Sequence, residues 1–435
     1  MSYSKVQMKQ STKLIPLFLL LCIGISNNLQ AVTCFQNETT IPAYNEYKGK
    51  VLDAKNKKPL ALATLQIEGS NISTITNSEG NFSLKVPKES VYENVIISFL
   101  GYETTHIPLA KLKENDNRIE LKSAITQLEE IDINVITDAT KLVKEVFRKI
   151  EHNYIDNPTI MTAFYRETIK KRRKNVSLSE AIVNIHKSAY SSFRKDYLEL
   201  FKSRKSTNYS RMDTLVLKLQ GGPFNTLLMD VVKYPEYIFS SDKINHYYFK
   251  YDHATTINDK KVAVISFRQK ENAKTPLYVG HLFIDAKHKV LISANYSLNI
   301  TNKQEASEIF IRKKPSNAKV WPQKVNYRVD YREKNGKWYY SYSKAALEFK
   351  VNWANKLFNS TYSTVSEMVV TDWKTNKNGD KLKQVNKLKR SIVLTDKIIG
   401  FYDNEFWGKH NIIEPEKSIA SAIKKIKKQL EKAKT

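Results

Sequence analysis

Cysteine is almost absent from this chain of 435 residues: Cys22 and Cys34 are the only two. Cys22 lies in an N-terminal apolar run that reads as an export signal. Once that run is cleaved, Cys34 is left alone and an intramolecular disulfide is excluded. Glycine and proline are scarce, 12 of each, which excludes collagen-like and low-complexity chains. Acidic residues number 44 against 71 Lys and Arg. The net charge of +27 points to anionic partners: nucleic acid, lipid headgroups or acidic polysaccharide. Export argues against nucleic acid. No second long apolar run follows the first, so the mature chain is expected to be soluble or attached to a membrane peripherally. Chemical signatures are missing as well. There is no Gly-x-Ser-x-Gly elbow, phosphate loop, Cys-x-x-Cys pair or acidic calcium loop.

What is present begins with the signal. Lys5, Lys9 and Lys13 precede apolar residues 14–25, a run broken by Pro16 and short for a membrane span. Cleavage after Ala31 meets the demand for a small residue there, although Leu29, two before it, is large. The alternative is an uncleaved anchor. A lipid on Cys34 would need Ala31-Val32-Thr33 to act as a lipobox, and Thr33 stands where a small residue is wanted.

Residues 32–46 read as a lead-in, and 47–122 as short strands at close spacing. "TNSEGNFSLKVP" carries a turn signal at Ser78-Glu79-Gly80-Asn81. Phe82, Leu84 and Val86 then alternate with Ser83 and Lys85, the pattern of a half-buried strand. Residues 123–137 form a connector in which Ile131, Ile133 and Val135 alternate like an edge strand. Asp138 can cap a helix whose Leu142, Val143, Val146, Phe147 and Ile150 share one face, and Asn157-Pro158 ends it. Strands joined by a basic hairpin at Lys170–Lys174 follow. Residues 212–219 and 224–232 are helix or loop around Gly221-Gly222-Pro223. From 236 to 400 strand follows strand, with Asn335-Gly336 as a two-residue hairpin turn and Asn378-Gly379 as a further turn. Within the domain 138–414 this Tyr-rich antiparallel sheet is expected to curl into a half-open barrel around a helix. The tail, 415–435, is a basic amphipathic helix with a stripe of Ile419, Ile423, Ile426, Leu430 and Ala433, expected to pack on the sheet.

"YKGKVLDAKNKKPLALATLQIEGS", "TITNSEGNFSLKVP", "VIISFLGYETTHIPL" and "LEEIDINV" stand in the order found in the carboxypeptidase-regulatory-like domain, which the region 47–135 resembles. That resemblance implies a seven-stranded, transthyretin-like β-sandwich at the head of a Bacteroidetes cell-envelope protein. The family takes its name from a domain that accompanies a zinc peptidase. No peptidase is expected here, because none of the eight His residues has Glu three residues later. After residue 135 there is neither a plug nor the length for a transporter barrel. The C-terminal "FWGKHNIIEPE" resembles the end of a group of Bacteroidetes envelope proteins. "YVGHLFIDAKHKVL" is similar to hairpins of half-open barrels of the lipoprotein-carrier type, in which a curved sheet wraps a helix and holds acyl chains.

Candidate site residues are few. Strand alternation sends Trp338, Tyr340 and Tyr342 to one face and Tyr339 to the other, and groups Tyr327 and Tyr331 with Val329 on the partner strand. Such aromatics can stack on sugar rings or line an acyl pocket; plain sheet packing is the commoner reason for Tyr in strands. His281 and His288 flank a hairpin, as surface residues more often than as ligands. Asp330 and Glu333 beside Arg332 read as surface charges. No metal or cofactor is expected. The sequence therefore describes a mainly β, non-catalytic envelope protein with an adaptor sandwich and a larger domain for binding or assembly. Lipid, anionic polysaccharide or other envelope proteins are its expected partners. A hydrolase of envelope polymer and an accessory subunit of an outer-membrane transporter are the rival classes.

Overall fold

A computed structural model describes residues 44–89, 91–124, 138–172, 174–207, 221–258, 260–271, 275–310, 316–354, 357–376, 387–394, 404–421 and 423–424. The signal, Cys34, residues 131–135, residues 212–219, the Asn378-Gly379 turn and the tail stripe beyond 424 lie outside the described residues. The described residues all belong to one compact unit, Pro42–Thr435. The strands are β1 (Tyr44–Asp53), β2 (Thr64–Ile67), β3 (Ser73–Ile75), β4 (Asn81–Pro87), β5 (Asn94–Ser98), β6 (Thr105–Pro108), β7 (Asn117–Leu121), β8 (Thr159–Lys171), β9 (Lys174–Lys187), β10 (Tyr197–Thr207), β11 (Tyr247–Ile257), β12 (Lys260–Gln269), β13 (Tyr278–Asp285), β14 (Val290–Leu298), β15 (Ala318–Lys334), β16 (Lys337–Trp353) and β17 (Ser360–Thr375). The helices are α1 (Ala139–Arg148), α2 (Ile150–Asn153), α3 (Pro223–Leu227) and α4 (Lys303–Phe310).

The first seven strands form two small sheets, β4-β1-β7 and β3-β2-β5-β6. Their inward side chains, among them Val51, Leu65, Phe82, Leu84, Val86, Ile97 and Leu121, make one core. Strand β1 begins at Tyr44, inside the stretch read as lead-in, because Tyr44 pairs with Pro87. The turn before β4 depends on Gly80. Its φ is +74°, and an added Cβ would lie 2.7 Å from the Val51 carbonyl oxygen. Strand β4 departs from expectation: Ser83 and Lys85 are as buried as their apolar neighbours. The C-terminal segment lies over them. The Asn411 side chain accepts from the Lys85 backbone N–H at 2.7 Å and donates to the Lys85 carbonyl at 3.1 Å.

The remaining strands make one sheet in the order β10-β9-β8-β17-β16-β15-β14-β13-β12-β11, antiparallel throughout and not closed. Asn335 and Gly336, at φ +52° and +76°, turn β15 into β16, the left-handed pair that a two-residue hairpin needs. One face of the sheet is covered by α1, α2, α3 and residues 229–247, which close over its largest core. Asp138 caps α1 by accepting from the Lys141 N–H at 3.0 Å. The other face receives the sandwich and the C-terminal segment. There Ile75 of β3 packs with Phe164, Tyr342, Trp407 and Ile413. Ile419 and Ile423 begin the tail's apolar stripe and pack on Leu178 of β9. Among the described residues no helix is long and apolar enough to cross a membrane.

Candidate functional site

Strands β15 and β16 do not pair in plain alternation. Tyr331 lies opposite Tyr340 and Asp330 opposite Tyr342, which leaves Ser341 as an extra residue on β16. Its hydroxyl donates to the Asp330 carbonyl oxygen at 2.8 Å. Such a bulge reverses which face the following residues take. Tyr340 therefore points to the helix-covered face and Tyr342 to the sandwich side, contrary to the single face expected for Trp338, Tyr340 and Tyr342. Trp338 joins the helix-side core, while Tyr339 lies directly opposite Arg332 and bonds to it, on the face expected of it.

The five aromatics thus serve different places. Trp338, Tyr331 and Tyr340 are buried on the helix side. The Tyr331 hydroxyl donates to Asp230 at 2.9 Å, as does that of Tyr190. Lys187 lies 2.8 Å from both Asp196 and Asp230, and burial together with Asp230 holds the Tyr190 hydroxyl well above its ordinary pKa. These groups fill the space between helices and sheet at this point, where an acyl groove would have to run. Tyr327 is half-buried and stacks on Tyr296 at 5.2 Å. It lines a shallow recess beside His281 and Lys344.

Tyr342 lines a more enclosed space, a cleft of about 320 Å³ between sandwich and sheet. Leu62, Ile75, Ile96 and Phe99 contribute an apolar wall, and Ser293, Arg328, Asp330 and Arg332 a polar one. The polar wall follows from the sequence of β15. In "NYRVDYREK", Arg328, Asp330 and Arg332 fall on one face of the strand while Tyr327, Val329 and Tyr331 take the other. Asp330 and Glu333 were expected to be surface charges. Instead the sandwich packs over this end of the strand, and Asp330, Arg332 and Glu333 are all partly buried.

The charges in the cleft are unequally paired. Asp330 accepts from Arg328 Nε at 2.9 Å and from the Ser293 hydroxyl at 2.5 Å. Glu333 is paired with Lys260. Arg332 has no carboxylate partner among the described residues; its Nη1 donates to the Ser73 hydroxyl of β3 at 2.6 Å. Burial pulls the Arg332 pKa below its ordinary value, opposed by Tyr339 and Asp330. Each carboxylate of the cleft is thus committed to a cation, while one guanidinium keeps donors to spare.

A second charged group lies beneath the C-terminal segment and is closed to solvent. Glu180 accepts from Arg166 Nε at 2.7 Å and from Arg204 Nε at 2.6 Å. Arg166 also donates to the Ile413 carbonyl at 2.7 Å, and Arg204 stacks on Trp407 at 5.1 Å. The hairpin histidines do not meet. His281 faces Asn295 within the β13–β14 ladder, and His288 sits at the turn with its ring 2.7 Å from Asp285. Among the described residues no group of three His, Cys, Asp or Glu is placed to hold a metal ion.

Residues 47–133 match the family model of the CarboxypepD_reg-like domain. No curated protein matches the chain. Among solved structures, the chain is similar to an outer membrane lipoprotein-sorting protein domain from Vibrio parahaemolyticus. The identity is 12% and the TM-score 0.24, over 57% of this chain and 94% of that one. It is similar to a LolA superfamily protein from Nitrosomonas europaea at 8% identity and TM-score 0.25, over 59% of this chain and 100% of that one. A DUF1329 family protein from Desulfovibrio piger gives 9% identity and TM-score 0.27, over 56% of this chain and 96% of that one.

Proposed function

We propose that the protein is an exported, non-catalytic binding protein of the bacterial cell envelope, and that the cleft between sandwich and sheet is its ligand site. The sandwich acts as one wall of the site as well as an adaptor. The ligand class is an anionic group attached to a less polar body, as in an acidic lipid or a uronic-acid polysaccharide. The observation that carries this reading is Arg332. Its guanidinium faces a cleft with an apolar far wall and has no carboxylate partner among the described residues, whereas Arg328 and Lys260 are neutralised by Asp330 and Glu333. A guanidinium in that position suits bidentate recognition of a carboxylate or phosphate. The lysine-rich composition adds long-range attraction for such ligands.

The hydrolase reading lacks a comparable observation. Asp330 and Glu333 are the carboxylates of the cleft and both are held by cations, and His106 there is near Glu68, at 3.7 Å, rather than hydrogen-bonded to a serine. The test uses the full chain with dihexanoyl phosphatidylglycerol and, separately, oligogalacturonate, read by calorimetry and by melting temperature. One of the two should bind wild type and lose most of its affinity in Arg332→Met. Equal binding by the variant, or none by wild type, overturns the site, and turnover of either probe overturns the non-catalytic reading.

A further inference from the structure

At one end of the large sheet two hairpin tips lie side by side. The β16–β17 connection carries Leu357 and Phe358, which are 97% and 77% exposed. The β8–β9 turn carries Lys171, Arg172 and Lys174. A backbone bond holds the tips together, from the Arg172 N–H to the Thr361 carbonyl at 2.7 Å. Lys350 of β16, paired with Thr361, adds a further cation on the same end. The acidic residue nearest this end on the flanking strands is Glu348, one pair deeper than Phe349. Helix α4, which packs on β15, contributes Glu305 and Glu308.

Two neighbouring large apolar side chains left almost wholly in water are costly for a surface loop, and a ring of cations around them is not the dress of a protein core. Apolar tips flanked by Lys and Arg suit the boundary of a bilayer. There the apolar groups enter the acyl edge while the cations meet phosphates. An acidic polysaccharide would satisfy the cations but offer no apolar interior to Leu357 and Phe358. We infer that this end of the sheet docks peripherally on an anionic lipid surface, with Leu357 and Phe358 as the inserted residues and the β8–β9 turn as the electrostatic contact. The surface is distinct from the cleft, and neither depends on the other.

The test is flotation of the full chain with vesicles of phosphatidylglycerol and phosphatidylcholine, and with phosphatidylcholine alone. Wild type should partition to the anionic vesicles and be released as salt rises. Leu357→Ser with Phe358→Ser should weaken partitioning about tenfold or more. Arg172→Glu with Lys174→Glu should weaken it at least about fivefold. All four substituted positions are exposed, so unchanged circular dichroism and melting are expected of the variants. Phe358→Trp reports this tip separately from the N-terminal apolar run: its emission should shift to the blue with anionic vesicles and be quenched by brominated lipid. Unquenched emission at residue 358, or partitioning unaffected by both pairs of substitutions, overturns the inference. So does a dimer in sedimentation that the Leu357/Phe358 variant dissolves, since a second copy would then be the occupant.

Discussion

Arg332 of the large sheet and Ser73 of the sandwich are joined by a 2.6 Å hydrogen bond, Nη1 to Oγ, across the joint between the two parts of the fold. The guanidinium also bonds the Tyr339 side chain, and among the described residues it has no carboxylate partner.

That arrangement costs stability. Arg332→Met keeps an unbranched apolar stem and removes the desolvated charge, so its urea midpoint should equal or exceed that of wild type. Ser73→Ala keeps the charge and removes its partner, and should lower stability by about 1 kcal/mol. A large loss in Arg332→Met would mean that the guanidinium serves the fold and not a ligand.

The Arg166–Glu180–Arg204 group should respond in the opposite sense. Glu180 is wholly buried between its two arginines. Glu180→Gln removes the carboxylate shared by two buried guanidiniums, of which Arg166 keeps only the more distant Glu367 at 3.7 Å, and should cost roughly 3–5 kcal/mol, measured by chemical denaturation. A loss below about 1 kcal/mol would show that water reaches the group.

Stability should depend on pH through Glu167. Burial raises this carboxyl to about 7, opposed by the Tyr165 hydroxyl bond. The folded chain therefore holds the proton more tightly than the unfolded one, whose carboxyl titrates near 4.5. Its contribution is complete below about 4.5 and is lost as pH rises through about 7. Glu167→Gln should exceed wild type by on the order of 3 kcal/mol above pH 7 and match it near pH 4. Urea midpoints of the two chains across that range provide the comparison.

His410 should act the other way. Burial, with Lys409, Lys202 and Lys85 nearby, lowers its imidazole to about 4. Stability from this group is present above the unfolded value of 6.5 and declines as pH falls toward 4. In His410→Gln that part of the acid sensitivity should vanish, visible as a shallower fall of the melting temperature between pH 6.5 and 4.

Asn411 offers a test of the C-terminal segment. It satisfies both backbone groups of Lys85 on the outer face of β4. Asn411→Ala strands a buried donor and a buried acceptor and should cost roughly 1–3 kcal/mol. Full retention of the wild-type midpoint would show that the segment sits there passively.

Local signals in the sequence carried far. The Asp138 cap, the Asn335-Gly336 turn, the seven short strands and the long antiparallel sheet all follow from capping chemistry, turn chemistry and period-2 alternation. Three things did not. Alternation states that a strand has two faces but not what covers the second, so Ser83 and Lys85 read as solvent-facing although residues more than 300 positions away lie over them. The same gap made Asp330 and Glu333 look like surface charges, and the alternating Arg328, Asp330 and Arg332 were visible without the sandwich that closes over them. The bulge at Ser341 left no local mark, since neither glycine nor proline announces it, and it separated Tyr340 from Tyr342. The candidate site thus lay in residues that were noted, while the aromatics singled out as ligand-facing include several that belong to the core.

The bond between Lys85 and Asn411 spans 326 residues. A growing polypeptide that has reached only β17 already holds every strand of the sandwich, yet β4 still shows water a lysine and a serine that the finished fold buries. The first-made part can settle fully only when a much later piece arrives. Closing a loop of that size before any reward makes slow, late consolidation the expected kinetic behaviour.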